Sequence, residues 1–253
     1  MPTVCVGVSN DGVCMPLLTL DDKTMWFAHC PKAGGTSIER VLVGIEGGRV
    51  EHLHWGWDKW FRGGGWKEDR PPCSPQHLVW TDAVPLLERA PDKVFAVVRD
   101  PADRLQSEWR WQRTGRRGTR LGKALARLPF SAWLPIVLAM AERNAYAFDN
   151  HLRPQSDFVP DDAQVFRLED GLNNVFGWLS KRLDRELPCG THLLKTDGKP
   201  FVTEALNGLI VRAHRADYAR FGYVTPDCPE RRPPAWARLL AGPLAWLDRR
   251  GRL

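Results

Sequence analysis

Lys32, Gly34, Gly35, Thr36 and Ser37 form a dense group of residues able to grip an oxyanion. They lie in Phe27-Ala28-His29-Cys30-Pro31-Lys32-Ala33-Gly34-Gly35-Thr36-Ser37, where an apolar strand runs into a glycine turn that opens a helix. A helix starting there presents backbone N–H groups with no carbonyl ahead of them, and its dipole favours a negative ligand. The glycines allow close approach, Thr36 and Ser37 add hydroxyl donors, and Lys32 adds a full positive charge. The lysine precedes the glycines, the reverse of the G-x-x-x-x-G-K-[ST] order, so a nucleoside triphosphatase fits poorly. Alone, the stretch is equally compatible with a glycine turn beside a surface lysine.

Arg99-Asp100-Pro101-Ala102-Asp103-Arg104-Leu105-Gln106-Ser107 supplies a second group. Arg99 follows the continuous apolar run Val94 to Val98, at the strand end where open α/β sheets bind ligands. Ser107 falls about two helical turns later. Guanidinium and hydroxyl so placed can converge on a second phosphate. The ordinary alternative pairs Arg99 with Asp100 or Asp103.

A neutral histidine can take a proton near neutral pH. The chain has seven. His77, in Ser74-Pro75-Gln76-His77-Leu78-Val79-Trp80-Thr81-Asp82, lies between the two phosphate-type groups; otherwise it is a helix-start histidine bonded to backbone. His52 and His54 alternate, so on a strand they share one face, either as a rival base pair or as substrate contacts. His29 reads as structural, and His192 and His214 carry no signal. Trp55, Trp57, Trp60 and Trp66 suit sugar stacking or a plain hydrophobic cluster. No cluster of metal ligands is apparent, and no metal is expected.

These residues need strands that end beside one another. Thr24 to His29, Lys93 to Val98 and Gln164 to Leu168 read as strands. Helical spacing marks Thr36 to Val43, Trp80 to Ala90, the stretch from Pro101, Ser131 to Tyr146, Leu172 to Arg182 and Leu206 to Tyr218. Strand and helix alternate, which predicts an α/β fold with a central parallel sheet flanked by helices. A single domain is expected over 1–253. Within it, 44–75 is an irregular insertion rich in Gly, Trp and Pro, and 224–253 is a C-terminal tail. Val4 to Val8 alternates ahead of a turn at Asn10-Asp11-Gly12. The basic stretch 113–123 reads as a mobile loop. Pro243 is expected to interrupt any long helix in the tail, whose Trp, Leu and Arg residues suit packing on the domain or contact with a membrane surface.

The 253 residues suffice for one α/β core. A mean hydropathy of −0.37 is that of an ordinary soluble chain. The net charge of +6 admits an anionic cofactor, an acidic polymer, nucleic acid or a membrane surface, and does not choose among them. The six cysteines show no C-x-x-C spacing, so free thiols are expected rather than a zinc ribbon or a disulfide scaffold. Without a signal sequence or a run of about 20 apolar residues, the chain reads as cytoplasmic unless an anchor lies outside it.

Taken together, P-K-x-G-G-T-S and R-D-P-x-x-R-x-x-S resemble the two cofactor motifs of sulfotransferases that use 3′-phosphoadenosine 5′-phosphosulfate (PAPS). The branch most similar is the carbohydrate, heparan-sulfate-type enzymes and their bacterial relatives. Asn150-His151-Leu152-Arg153-Pro154-Gln155 resembles a bacterial N-H-x-R-P-Q segment. Val165 to Glu169 resembles F-R-x-E, and Asp217-Tyr218 with Phe221-Gly222-Tyr223 resembles D-Y-x-x-F-G-Y. The likeness spans about residues 24–223 and omits 44–72 and the tail.

The resemblance implies a P-loop-like sulfotransferase fold. Lys32, Ala33, Gly34, Gly35, Thr36 and Ser37 would hold the 5′-phosphosulfate, and Arg99 and Ser107 the 3′-phosphate. His77 falls in a stretch similar to the H-x-x-W-T-[DE] of heparan 6-O-sulfotransferases and would be the base, with Lys32 the second catalytic residue. His52, His54, His151 and Arg153 would contact a carbohydrate or glycolipid acceptor; nucleic acid is not an expected partner. Two other classes stay open. A cofactor-fold protein without catalysis would bind 3′-phosphoadenosine 5′-phosphate (PAP) yet turn over no acceptor, and a P-loop-like kinase would need ATP and an acidic magnesium site.

Overall fold

The computed structural model describes residues 16–52, 73, 75–87, 89–113, 120–187 and 201–249. Five strands form one sheet: β1 (Pro16–Leu20), β2 (Lys23–Ala28), β3 (Arg49–His52), β4 (Lys93–Val98) and β5 (Gln164–Arg167), in the order β3-β1-β2-β4-β5. β2, β4 and β5 pair in parallel, with Phe27 beside Phe95 and Ala96 beside Val165. β1 runs antiparallel to both its neighbours, β2 and β3. The mostly parallel sheet and flanking helices agree with the expected fold class.

The alternation of side chains across a strand divides the core into two layers. Trp26, Ala28, Val94, Ala96 and Val98 enter one cluster, while Met25, Phe27, Phe95 and Val97 enter the other. The second is closed by α1 (Gly35–Val43), through Ile38, Val41 and Leu42, and by the helix Asn173–Leu183. The first is closed by the remaining helices, so both sheet faces are covered and β4 reads as a near-continuous apolar run. In chain order these are α2 (Trp80–Ala83), α3 (Pro101–Arg113), α4 (Arg120–Leu125) and α5 (Phe130–Ala141). After α6 (Asn173–Leu183) come α7 (Glu204–Ala213), α8 (Arg215–Phe221) and α9 (Ala235–Arg249).

Several expectations are corrected. The stretch 44–75 is not wholly irregular, because Arg49–His52 pairs with β1. The helix expected over Trp80 to Ala90 lasts one turn: Pro85 has no N–H to continue it, and Val84–Leu86 tightens into a 3₁₀ turn. Within 113–123, Arg120 onward is helical rather than loop. Leu206 to Tyr218 is two helices, broken at His214, whose carbonyl accepts from Asp217 N–H at 3.0 Å.

Pro135 and Pro243 each sit inside a helix without ending it. The carbonyls they deprive of a partner belong to Ser131 and Leu239, both exposed, so water can satisfy them. Cys30, Cys73 and Cys228 are free thiols. Val4 to Val8, Cys5, Cys14, Cys189, His54, His192 and the four tryptophans 55–66 lie outside the described residues. Among the described residues no helix is long and apolar enough to cross a membrane.

Candidate active site

Parallel pairing of β2 with β4 brings their carboxyl ends together, so the turn after Ala28 and the turn after Val98 open side by side. A cavity of about 700 Å³ lies there. Lys32, Gly34, Gly35, Thr36, Ser37, His77, Arg99, Ser107 and His151 all line it, although 119 positions separate the first from the last. Ala33 is buried behind them, its N–H donating to the Cys30 carbonyl at 3.3 Å.

The turn is built for α1 to begin without a cap. Gly34 has φ of +87° and no side chain caps the helix, whose first turn holds no acid. Lys32 is itself left-handed at φ +67°, an arrangement that costs a residue with a Cβ about 1 kcal/mol. A Cβ on Gly35 would lie 2.3 Å from His29 Nε2. That imidazole stacks on Phe27 and has its Nδ1 2.8 Å from Glu39 Oε1, so only glycine fits above it.

Burial pushes the Lys32 ammonium below its usual range, and Glu108 opposes the shift. Its Nζ stands 4.8 Å from the centroid of Trp111, which stacks on His151. The Lys32 carbonyl receives an N–H from Arg99 at 3.5 Å, tying the two turns together.

His77 ends the 3₁₀ turn Pro75–His77 and is almost wholly buried. Its Nδ1 meets Asp149 Oδ2 at 2.8 Å; a carboxylate only accepts, so Nδ1 carries the proton and Nε2 the lone pair. Its carbonyl accepts from Asn150 Nδ2 at 2.7 Å. Phe148, Asp149 and Asn150 are three consecutive left-handed residues, an energetically costly turn that delivers Asp149 and Asn150 to one histidine. Burial, then repulsion from His151, pushes the His77 imidazole down to about 4.

His151 repeats the arrangement: its Nδ1 meets Glu108 Oε2 at 2.6 Å, and Glu108 also accepts from Gln112. Burial would raise the Glu108 carboxyl, but His151, Lys32 and Gln112 together hold it below the usual carboxylate range. The rings of His77 and His151 stand edge to face, with centroids 4.4 Å apart. One ligand atom each from His77, Asp149 and His151 lies within 4.8 Å of the other two, so a potential metal-ligand cluster does exist, contrary to the sequence expectation.

A second layer positions the site. Arg104, fully buried, donates to the carbonyls of His151 and Arg153 at 2.9 and 2.6 Å. Gln155 grips the backbone of Arg99 and receives its own support from Asp217. Glu169 accepts from Asp100 N–H at 2.9 Å and from the Tyr223 hydroxyl at 3.1 Å. The segments 150–155, 165–169 and 217–223 thus converge behind the turn at Arg99.

Arg153 is drawn elsewhere. It pairs with Asp157 at 2.7 Å and lines a second hollow between α5 and α7. His52 ends β3 opposite Pro16 at the far edge of the sheet.

Glu108, Trp111, Gln112 and Asp149 line the cavity and were missed in the sequence. Trp111 lies one helical turn after Ser107, a spacing that could have found it, and Gln112 lies one turn after Glu108 on the adjacent row of α3. Asp149 precedes the quoted Asn150 segment, and its one local mark is the Asp-Asn pair itself, which tolerates a left-handed backbone.

A family model described as the sulfotransferase family matches residues 15–169. The chain belongs to the sulfotransferase family. The match takes in both turns, His77, Glu108 and His151, and stops at Glu169. No curated protein and no solved structure matches this sulfotransferase. Membership assigns it to sulfuryl transfer and implies an acceptor substrate.

Proposed function

We propose that this sulfotransferase uses PAPS as donor and transfers the sulfuryl group to a hydroxyl of a carbohydrate or glycolipid. The observation that carries the reading is the shared cavity: the Lys32–Ser37 turn, Arg99, Ser107 and His77 open into one space large enough for a nucleotide and part of an acceptor. The uncapped start of α1, with Lys32 beside it, suits the 5′-phosphosulfate, and Arg99 with Ser107 suits the 3′-phosphate.

His77 is the base in this reading. As the acceptor oxygen bonds to sulfur and the sulfur–phosphate bridge breaks, the hydroxyl proton passes to His77 Nε2. Asp149 holds the ring in that tautomer and stabilises the imidazolium that forms. Lys32 and the first amides of α1 stabilise the charge left on the departing phosphate. In this reading His151, which lines the same cavity, contacts the acceptor.

Calorimetry with PAP tests the donor site: micromolar binding, weakened at least about tenfold by Arg99→Ala, is expected for the loss of a charge-assisted contact. No binding at that concentration overturns the reading. Transfer of labelled sulfate from PAPS across a panel of glycans and glycolipids tests the acceptor class. Transfer that persists in excess EDTA is expected, and its loss would give the cluster His77, Asp149 and His151 a metal instead. The same panel settles whether His52 and His54 act in place of His77: His77→Ala should bind PAP normally yet transfer nothing.

A further inference from the structure

His151 is fixed both at its backbone and at its ring. Its carbonyl accepts from Arg104 at 2.9 Å, and its N–H donates to the Phe148 carbonyl at 3.2 Å. Trp111 stacks on the ring with centroids 5.1 Å apart, and the His77 ring stands edge to face at 4.4 Å. Nδ1 meets Glu108 Oε2 at 2.6 Å. A ring held by a stack, a neighbouring ring and a carboxylate has little rotamer freedom left to lose when a ligand arrives.

Glu108 decides what that ring offers. Its carboxyl is buried, and burial opposes its ionisation, but His151, Lys32 and Gln112 outweigh the burial. An ionised carboxylate only accepts, so Nδ1 carries the proton and the neutral ring keeps its lone pair at Nε2. Nε2 has no hydrogen-bond partner among the described residues, and the ring lines the cavity. His77 shows the same pairing with Asp149 on the same cavity. A ring nitrogen of one histidine lies within 4.8 Å of a ring nitrogen of the other.

Two imidazoles with carboxylates behind them select what can stand in front. A hydroxyl can donate to each lone pair. An ether oxygen has no proton to give, and a carboxylate or sulfate ester would face the charge of Glu108 through the ring. The reacting hydroxyl takes one lone pair, so the other calls for a second donor close by. Hydroxyls on adjacent carbons can span the two rings with hydrogen bonds of about 2.8 Å.

We propose that His151, oriented by Glu108, is a specificity-determining residue that accepts a hydrogen bond from the hydroxyl adjacent to the one being sulfated. The acceptor is then a vicinal diol whose second hydroxyl is free, neither removed, etherified nor already esterified. The second hydroxyl keeps its proton; the proton released in transfer goes to His77. Glu108 acts through His151 and is a positioning residue. The inference rests on the reading of the cavity as a transfer site with His77 as base.

The test follows transfer from PAPS to the octyl glycosides of glucose, galactose and mannose, each beside its monodeoxy and mono-O-methyl analogues. Analogues altered next to the sulfated position should lose at least about tenfold in kcat/KM, because a site built to bond a hydroxyl is left unpaired, and analogues altered elsewhere should lose less. Equal rates across the analogues overturn the diol and leave the transfer reading standing. No transfer to any parent glycoside, with PAP still bound, overturns the carbohydrate reading and the diol with it.

Replacing His151 alone would strand a buried charge on Glu108, so the variant is the double His151→Phe, Glu108→Gln, which keeps both shapes. Its KM for the preferred glycoside should rise at least about tenfold with a smaller fall in kcat, and the gap between that glycoside and its adjacent deoxy analogue should close. A gap that persists overturns the assignment to His151. Glu108→Gln alone should also raise KM, yet bind PAP at least as tightly, since a negative charge acting on Lys32 is gone. Weaker PAP binding would instead make Glu108 a structural support of the donor turn and overturn its positioning role.

Discussion

Gln155 holds Arg99 by both of its backbone groups: its Oε1 accepts from Arg99 N–H at 2.8 Å, and its Nε2 donates to the Arg99 carbonyl at 2.7 Å. The side-chain amide thus continues the ladder of β4 one residue past its end. Asp217 fixes Gln155 in turn, accepting its N–H at 2.9 Å and the N–H of Ser156 at 2.8 Å. The orientation of Arg99 is therefore set from a segment more than fifty residues away.

Gln155→Leu has nearly the same bulk and removes both bonds. Two half-buried backbone groups are left without partners, a loss of about 2 kcal/mol. Urea unfolding should register that loss, and calorimetry should find PAP held about tenfold more weakly as Arg99 loosens. A variant that is less stable but binds PAP with unchanged affinity would reduce Gln155 to a purely structural role.

The His77 imidazole is the source of an acid sensitivity with a definite window. Its folded value of about 4 lies below its unfolded value near 6.5, so between those limits the unfolded chain binds more protons. Its contribution to stability is complete above about pH 6.5 and is lost as pH falls towards 4. The difference amounts to about 3 kcal/mol. Denaturant midpoints at pH 7 and pH 4.5 should differ accordingly, and His77→Gln should flatten most of the slope. His214, also lowered by burial, supplies part of the remainder. Asp217, at about 2, acts only below that window. If His77 is the base, the acid limb of kcat/KM falls near pH 4; a limb near 6.5 would assign the proton to another histidine.

The turns after β2 and β4 and the parallel strands before them were legible because each is local: an apolar run, a glycine or proline, then a helix. The edge of the sheet was not. β3 is Arg-Val-Glu-His, without an apolar run, and it becomes a strand only through pairing with β1. The site divides in the same way. Lys32 and Arg99 follow strands and announce themselves, whereas Asp149 meets His77 across 72 positions through a left-handed turn. The only local hint of that turn is an Asp-Asn pair, the side chains that tolerate the conformation best. Pro243 misled because proline removes one hydrogen bond, and at Leu239 that bond is replaceable by water.

Gly35 and His29 should show strong coupling. The alanine methyl in Gly35→Ala would meet an imidazole that stacks on Phe27 and sits 2.8 Å from Glu39. A stability loss of about 1–3 kcal/mol is expected, with weaker PAP binding as the start of α1 is displaced. Adding His29→Ala removes the obstacle. The double variant should recover most of the loss relative to Gly35→Ala alone, and additive effects in the cycle would show that the contact is not the cause.

Lys32 carries two local costs that a purely structural residue would not: a left-handed backbone and a charge partly stripped of water. Lys32→Gly relieves both, because glycine adopts φ of +67° freely and brings no charge into the cavity. The cation–π contact with Trp111 is lost, which offsets part of the gain. Thermal unfolding should therefore show a variant at least as stable as the parent, by up to about 1 kcal/mol. PAP binding should fall at least about tenfold, the size of a lost charge-assisted hydrogen bond. Opposite signs in the two measurements identify a residue retained for its ligand. If stability falls together with binding, Lys32 belongs to the architecture of the turn, and the charge facing the donor must be sought at Arg99 or at Lys123, which also lines the cavity.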